Sequence, residues 1–153
     1  MTDTSRQDEI TTLNTLTTTL IDSVTGFEDA AANIEGSSRL QQLFRERASE
    51  RRQVVEDLRA EVRRLGGNPE DDGSFLGKAH QRFLDLKSVV TGRDEQAIIN
   101  EVERGEDYLK EKFEAALSSG HLSGESRAVV EQAFQSVRSG HDQISQLKHG
   151  MEA

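Results

Sequence analysis

The fold is decided by residues 40–65, which read LQQLFRERASERRQVVEDLRAEVRRL. Apolar residues recur in this stretch at steps of three and four, which is the period of one face of an α-helix. The apolar line consists of Leu40, Phe44, Ala48, Val55, Leu58, Val62 and Leu65. Arg51 lies on the same line, and Gly66, Gly67 and Pro69 follow as stop signals. The stretch therefore predicts a long amphipathic helix with one charge in its apolar face.

The same periodicity extends over most of the chain. It predicts helices over residues 8–35, 38–65, 75–91, 94–118 and 125–148, of which the segment 75–91 is the short one. The break at residues 35–38 is too short for anything but antiparallel neighbours, and a serine there can cap the second helix. Threonines at 11, 12, 15, 17, 18 and 19 lower the helix propensity of the first segment, so we expect a frayed start. We predict one all-α domain over residues 1–153, a four-helix bundle with the short helix inside a long crossover, which is the topology of ferritin-like folds.

Composition excludes several classes of protein. Only 33% of the 153 residues are hydrophobic and 31% are charged, a balance that suits amphipathic helices. The absence of cysteine excludes disulfides and cysteine-ligated zinc. A formal charge of −9 argues against a nucleic-acid partner. No segment has the length and apolarity of a membrane span, so we expect no membrane partner and a cytoplasmic location.

Charged residues on or beside the apolar lines are the candidate functional residues, because burying a charge is costly unless it is paired or bound to metal. The four helices offer Glu28, Glu50, Glu106 and His141 near their midpoints. Carboxylate-bridged di-iron bundles use this chemistry, with one Glu on each of two helices and a Glu-x-x-His pair on each of the others. These four residues are therefore the candidate metal ligands, for iron or another divalent cation.

Two positions depart from the di-iron pattern. Gln53 stands where the second helix would supply a histidine, and Arg138 stands where the last helix would supply a carboxylate. The alternative is a layer of ion pairs, in which Arg47, Arg51 or Arg138 bind Glu28 and Glu106 through charge-assisted hydrogen bonds. The sequence favours this ion-pair layer over a bound metal and leaves open which arginine supplies it.

Several short motifs resemble a family of uncharacterised bacterial ferritin-like proteins. The most specific are the run ERGED at 103–107 and the turn LGGNP at 65–69. Residues 27–31, Gly73-Ser74 with His80, and the closing HDQI at 141–144 add to the resemblance. The resemblance implies a ferritin-like fold of unknown activity that is associated with bacterial stress response.

Three functional hypotheses follow. The first is a non-catalytic, stress-associated bundle with a degenerate metal site and no cofactor. The second is a metal-binding protein with oxidase-type chemistry at the four candidate ligands. The third is a module that binds a partner helix or a second copy of itself.

Overall fold

The computed structural model describes residues 3–34, 37–69 and 95–152. It contains four helices: α1 over Asp3–Asn33, α2 over Ser38–Arg64, α3 over Glu95–Ser118 and α4 over Gly124–Glu152. The described residues contain no strand, so the predicted all-α class is confirmed at the level of a four-helix fold. The predicted short helix at 75–91 lies outside the described residues, and the single-domain assignment stays a prediction.

The outer helices are longer than the sequence predicts. The first begins at Asp3 instead of residue 8, and the last extends to Glu152 instead of 148. Apolar periodicity marks only the part of a helix that packs, whereas residues 5–8 are exposed and precede the first buried position, Glu9. The threonines are accommodated because hydroxyls bond back to the carbonyl four residues earlier, as Thr17 does to Leu13 at 2.8 Å.

Local signals fix both ends of α2. The Ser37 side chain accepts a hydrogen bond from the Leu40 amide at 3.2 Å, as the predicted serine cap requires. At the other end Gly66 has a φ of 85°, a conformation that favours glycine. Its amide donates to the carbonyl of Arg63 at 2.9 Å, which closes the last turn.

Adjacent helices in the bundle run antiparallel. The first helix packs on α2 and α3, and α4 packs on α3 and α2. One apolar cluster joins the first halves of α1 and α4 to the second halves of α2 and α3. The end of α2 and the start of α3 therefore lie at opposite ends of the bundle, as one long crossover between them requires.

The hydrophobic core is divided into two clusters. The first contains Leu20, Val54, Leu109 and Val137 as its innermost members along the four helices. The second begins with Val24, Ala48, Val102 and Ile144 on the same four helices. Apart from Ile21 on α1 and Tyr108 on α3, the interval between the two clusters holds polar or small residues. This interval positions the candidate site.

Candidate functional site: a polar layer between the two cores

One residue from each helix forms the centre of this interval. These residues are Ser23 of α1, Arg51 of α2, Glu106 of α3 and Gly140 of α4, and all four are buried. We call them the polar layer. Each falls on the apolar stripe of its helix, so the bundle brings a cation, an anion and a hydroxyl into its centre.

Arg51 and Glu106 form a two-fold hydrogen-bonded ion pair. Nη2 of Arg51 donates to Oε1 of Glu106 at 2.7 Å, and Nη1 donates to Oε2 at 2.9 Å. The side chains are 0% and 2% exposed, respectively. The planar guanidinium matches the two carboxylate oxygens, which is the strongest arrangement for such a pair. Both carboxylate oxygens of Glu106 are therefore committed to Arg51.

Further contacts surround the guanidinium. Nη1 also donates to the Ser23 hydroxyl at 2.6 Å. The guanidinium carbon lies 5.4 Å from the centre of the Phe27 ring, a cation–π distance. Nε of Arg51 is buried and has no hydrogen-bond partner. Glu106 thus compensates the charge of the guanidinium, although the Nε donor of Arg51 makes no hydrogen bond.

Gly140 leaves the space that Arg51 occupies. A Cβ at this position would overlap Nη2 of Arg51 and would lie 3.2 Å from Oε1 of Glu106. Any side chain at position 140 would displace the ion pair or push the helix outward. Glycine is therefore favoured here, because it lets α4 approach the ion pair closely.

A second pair lies beside the layer, on the flank between α3 and α4. Nε2 of His141 is 2.6 Å from Oδ1 of Asp107, and Nδ1 is 3.3 Å from Oδ1 of Asp142. Burial of the ring lowers the pKa of His141, but the hydrogen bonds to the two carboxylates raise it by more, so this pKa lies above its ordinary value. Glu106 and Asp107 are consecutive, as are Gly140 and His141, so one level of the bundle has a buried pair and a flanking pair.

Polar bridges also join α2 to α4 at this level. Nε of Arg47 donates to Oε1 of Gln143 at 2.7 Å. Oε1 of Glu50 accepts from the Ser136 hydroxyl at 2.7 Å and from Nη1 of Arg47 at 2.8 Å. Polar and charged side chains therefore also join the helices on the α2–α4 flank of the polar layer.

The structure separates the four candidate metal ligands. Glu28 is half exposed and pairs with Arg52 on the outside of the α1–α2 contact. Glu50 lies on the α2–α4 flank, Glu106 lies in the buried pair, and His141 lies on the α3–α4 flank. In the three described stretches, no three side chains of His, Asp or Glu come together in an arrangement that could hold a metal ion. Arg138 is exposed and lies over the Phe134 ring at 5.9 Å, away from the layer.

Ser23, Gly140 and Asp107 are the contributors that the sequence reasoning missed. Gly140 was detectable, because it lies three residues after Val137 and four before Ile144 on the apolar line of α4. Asp107 carries no such signal, since its partner His141 is set by the packing of α3 on α4.

Asp22 is a further buried group, next to Ser23 on α1. Its side chain is 3% exposed and its Oδ2 has no hydrogen-bond partner. Burial raises the pKa of Asp22 to about 7. Thr18, one turn earlier, is also buried with a hydroxyl that has no partner.

Comparison with protein families identifies the family of this chain. A family model described as a domain of unknown function, DUF2383, matches residues 8–119. The chain belongs to the DUF2383 family. The match spans nearly all of α1, α2 and α3, and it stops before α4. The DUF2383 segment therefore includes Ser23, Arg51 and Glu106, while Gly140 and His141 lie beyond it. No match is found among curated proteins.

The match confirms the prediction, made from the motifs at 65–69 and 103–107, that the chain belongs to an uncharacterised domain family. The ferritin-like relationship and the bacterial origin stay predictions. In the described part of the chain, no helix has both the length and the apolarity to cross a bilayer.

Proposed function

We propose that this DUF2383 protein is a non-catalytic helical bundle whose central polar layer is structural. The observation that carries the proposal is the pairing of Arg51 with both carboxylate oxygens of Glu106 at 2.7 and 2.9 Å. In this account the buried pair sets the register of the four helices. A buried polar contact does so by penalising every alignment in which a charge loses its partner.

The layer has the properties that this role requires. Only one helical register places Arg51 against Ser23, Glu106 and the space above Gly140 together. A shift of any helix by one turn would bury the guanidinium against apolar side chains of one of the two cores. Apolar contacts alone tolerate such shifts better, because they are not directional.

The alternative is an iron or other divalent-metal protein that uses Glu28, Glu50, Glu106 and His141. The arrangement does not fit it, because a guanidinium occupies the centre and repels a cation there. Glu28 and Glu50 are held on different outer faces by Arg52 and Arg47. Stress association, which the family resemblance implies, and the cytoplasmic location expected from the sequence belong to this proposal as predictions.

The test is elemental analysis of the protein after anaerobic addition of ferrous iron and desalting. The variants are Glu106→Ala and His141→Ala, with Glu111→Ala on the exposed side of α3 as the control. We expect no stoichiometric iron in the wild type or in any variant. Iron at one or two atoms per chain that is retained by Glu111→Ala and lost from the other two would overturn the structural role and support the metal alternative.

A further inference from the structure

The contact between α2 and α4 includes an open stretch with a hydrogen bond at each end. At one end the Ser126 hydroxyl donates to Oε2 of Glu61 at 2.7 Å. At the other end the Ser136 hydroxyl donates to Oε1 of Glu50 at 2.7 Å. Of the adjacent helix pairs in the described residues, α2 and α4 are packed most loosely. The two hydrogen bonds thus lie at the ends of a stretch in which α2 and α4 are farther apart.

A groove of about 700 Å³ fills this stretch. Val54 and Ala133 form its buried floor, Val129 is partly exposed, and Ala60 is exposed. From Glu50 to Glu61 the groove follows three turns of α2, or about 16 Å at the rise of an α-helix. Its small side chains allow another backbone to come close, so its dimensions suit one helix of three to four turns.

The rim of the groove is negatively charged. Its lining has the carboxylates of Glu50, Asp57 and Glu61 and the guanidinium of Arg64. Glu50 is paired with Arg47, and the buried Glu61 is paired with Arg64, so Asp57 is the carboxylate left for an occupant. Oδ1 of Asp57 accepts a hydrogen bond from the side-chain amide of Gln53 at 3.1 Å. Because this amide is neutral, the hydrogen bond does not compensate the negative charge of Asp57. An occupant with cationic flanks would satisfy this rim, and an anionic one would be repelled.

We infer that the groove between α2 and α4 docks an amphipathic helix of a partner protein, with small apolar residues on one face and lysines or arginines on its flanks. The apolar face covers Val54, Ala60 and Val129, and a cationic flank reaches Asp57. This inference goes beyond the proposed structural role of the polar layer. It does not depend on the Arg51–Glu106 pair, which lies on the inner side of α2.

The probe is a fluorescein-labelled synthetic helix of 18 residues with alanine and leucine on one face and lysine elsewhere. A matched peptide has glutamate in place of lysine. Fluorescence anisotropy measures the Kd for the wild type, for Asp57→Lys on the rim, and for Glu111→Lys, which makes the same charge change on an exposed position of α3. We expect a micromolar Kd for the lysine peptide, at least tenfold weaker binding to Asp57→Lys, a change below twofold for Glu111→Lys, and no binding of the glutamate peptide.

The place of binding is tested separately, since the chain has no cysteine and a single one can be labelled uniquely. Gln132→Cys puts an environment-sensitive dye in the groove, and Gln135→Cys puts it on the same helix outside the groove. The lysine peptide is expected to shift the emission of the first to the blue and to leave the second unchanged. Equal losses for Asp57→Lys and Glu111→Lys, equal responses of the two dyes, or no binding of the lysine peptide would each overturn the inference.

Discussion

The guanidinium of Arg51 occupies the space that a side chain at Gly140 would take. A Cβ on Gly140 would overlap Nη2 of Arg51, whereas a Cβ on Gly150 of the same helix would meet nothing within 4 Å. Gly140 and Gly150 therefore differ in what they permit. The first allows α4 to pack on a buried ion pair, and the second has no neighbour to accommodate.

Gly140→Ala is expected to lower the free energy of unfolding by about 1 to 3 kcal/mol, because the methyl group overpacks the layer. Gly150→Ala is the matched control and is expected to be neutral or to stabilise by up to about 1 kcal/mol, since alanine favours a helix. Urea unfolding followed by circular dichroism measures both. In an Arg51→Met background the cost of Gly140→Ala should shrink, since the groups are in contact and their effects are not additive. Equal effects of the two glycine substitutions would contradict the close approach.

Because Asp22 is a buried acid, we expect the free energy of unfolding to fall as the pH rises from about 4 to about 7. The folded-state pKa of Asp22 is raised from 3.8 to about 7 by burial, so the folded protein binds more protons than the unfolded chain within this window. The contribution of this group is thus lost as the pH rises through the folded pKa. Asp22→Asn removes the titration and is expected to stabilise the protein at pH 8 by about 1 to 3 kcal/mol.

The measurement is the free energy of unfolding between pH 4 and pH 8 for the wild type, Asp22→Asn and Asp8→Asn. The last variant changes an exposed aspartate on the same helix and serves as the control. The Asp22→Asn curve should lie above the wild type only at the higher pH values, and the control should follow the wild type. Parallel curves for all three proteins would show that Asp22 is not the buried acid described here.

The His141–Asp107 pair predicts a loss of stability at a higher pH. The pKa of His141 is raised, so its contribution is fully present below the unfolded-state value and is lost as the pH rises through the folded-state value. Asp107→Asn should cost about 0.5 to 1 kcal/mol at pH 5.5, a small value because Asp107 is 54% exposed and screened by solvent. At pH 9 the same substitution should cost less.

NMR titration of the His141 ring provides the direct readout. Asp107→Asn is expected to lower the pKa of His141, and Asp142→Asn is expected to lower it less, because its contact is 3.3 Å rather than 2.6 Å. A larger effect of Asp142→Asn would contradict the assignment of Asp107 as the main partner.

The positions of the helices could be predicted because packing imposes one period on the sequence. The line of apolar residues in α2 predicts a buried face, and the burial of Leu40, Phe44, Leu58 and Val62 confirms it. The first helix was predicted too short, because its first residues make no apolar contact that the sequence would record. The charged Arg51 within the apolar line of α2 also indicated a polar layer.

The composition of the site could be predicted only in part. Arg51 lies three residues after Ala48 and four before Val55, so its helical phase points it inward. Glu28 and Glu50 are each one residue out of phase, and a rotation of 100° per residue places them on the flanks. The choice among Arg47, Arg51 and Arg138 as the partner of Glu106 depends on how α2, α3 and α4 pack together, which a single sequence does not specify.

The central claim is that the free energy of the polar layer depends on Arg51 and Glu106 as a pair, and a double-mutant cycle measures this directly. The cycle compares Arg51→Met, Glu106→Leu and the double variant by urea unfolding. Each single variant should lose about 3 to 5 kcal/mol, because it leaves one buried charge without its partner. The double variant should recover most of this loss, with a coupling of at least about 2 kcal/mol. Additive losses in the double variant would contradict the claim, because the two side chains would then contribute to stability independently.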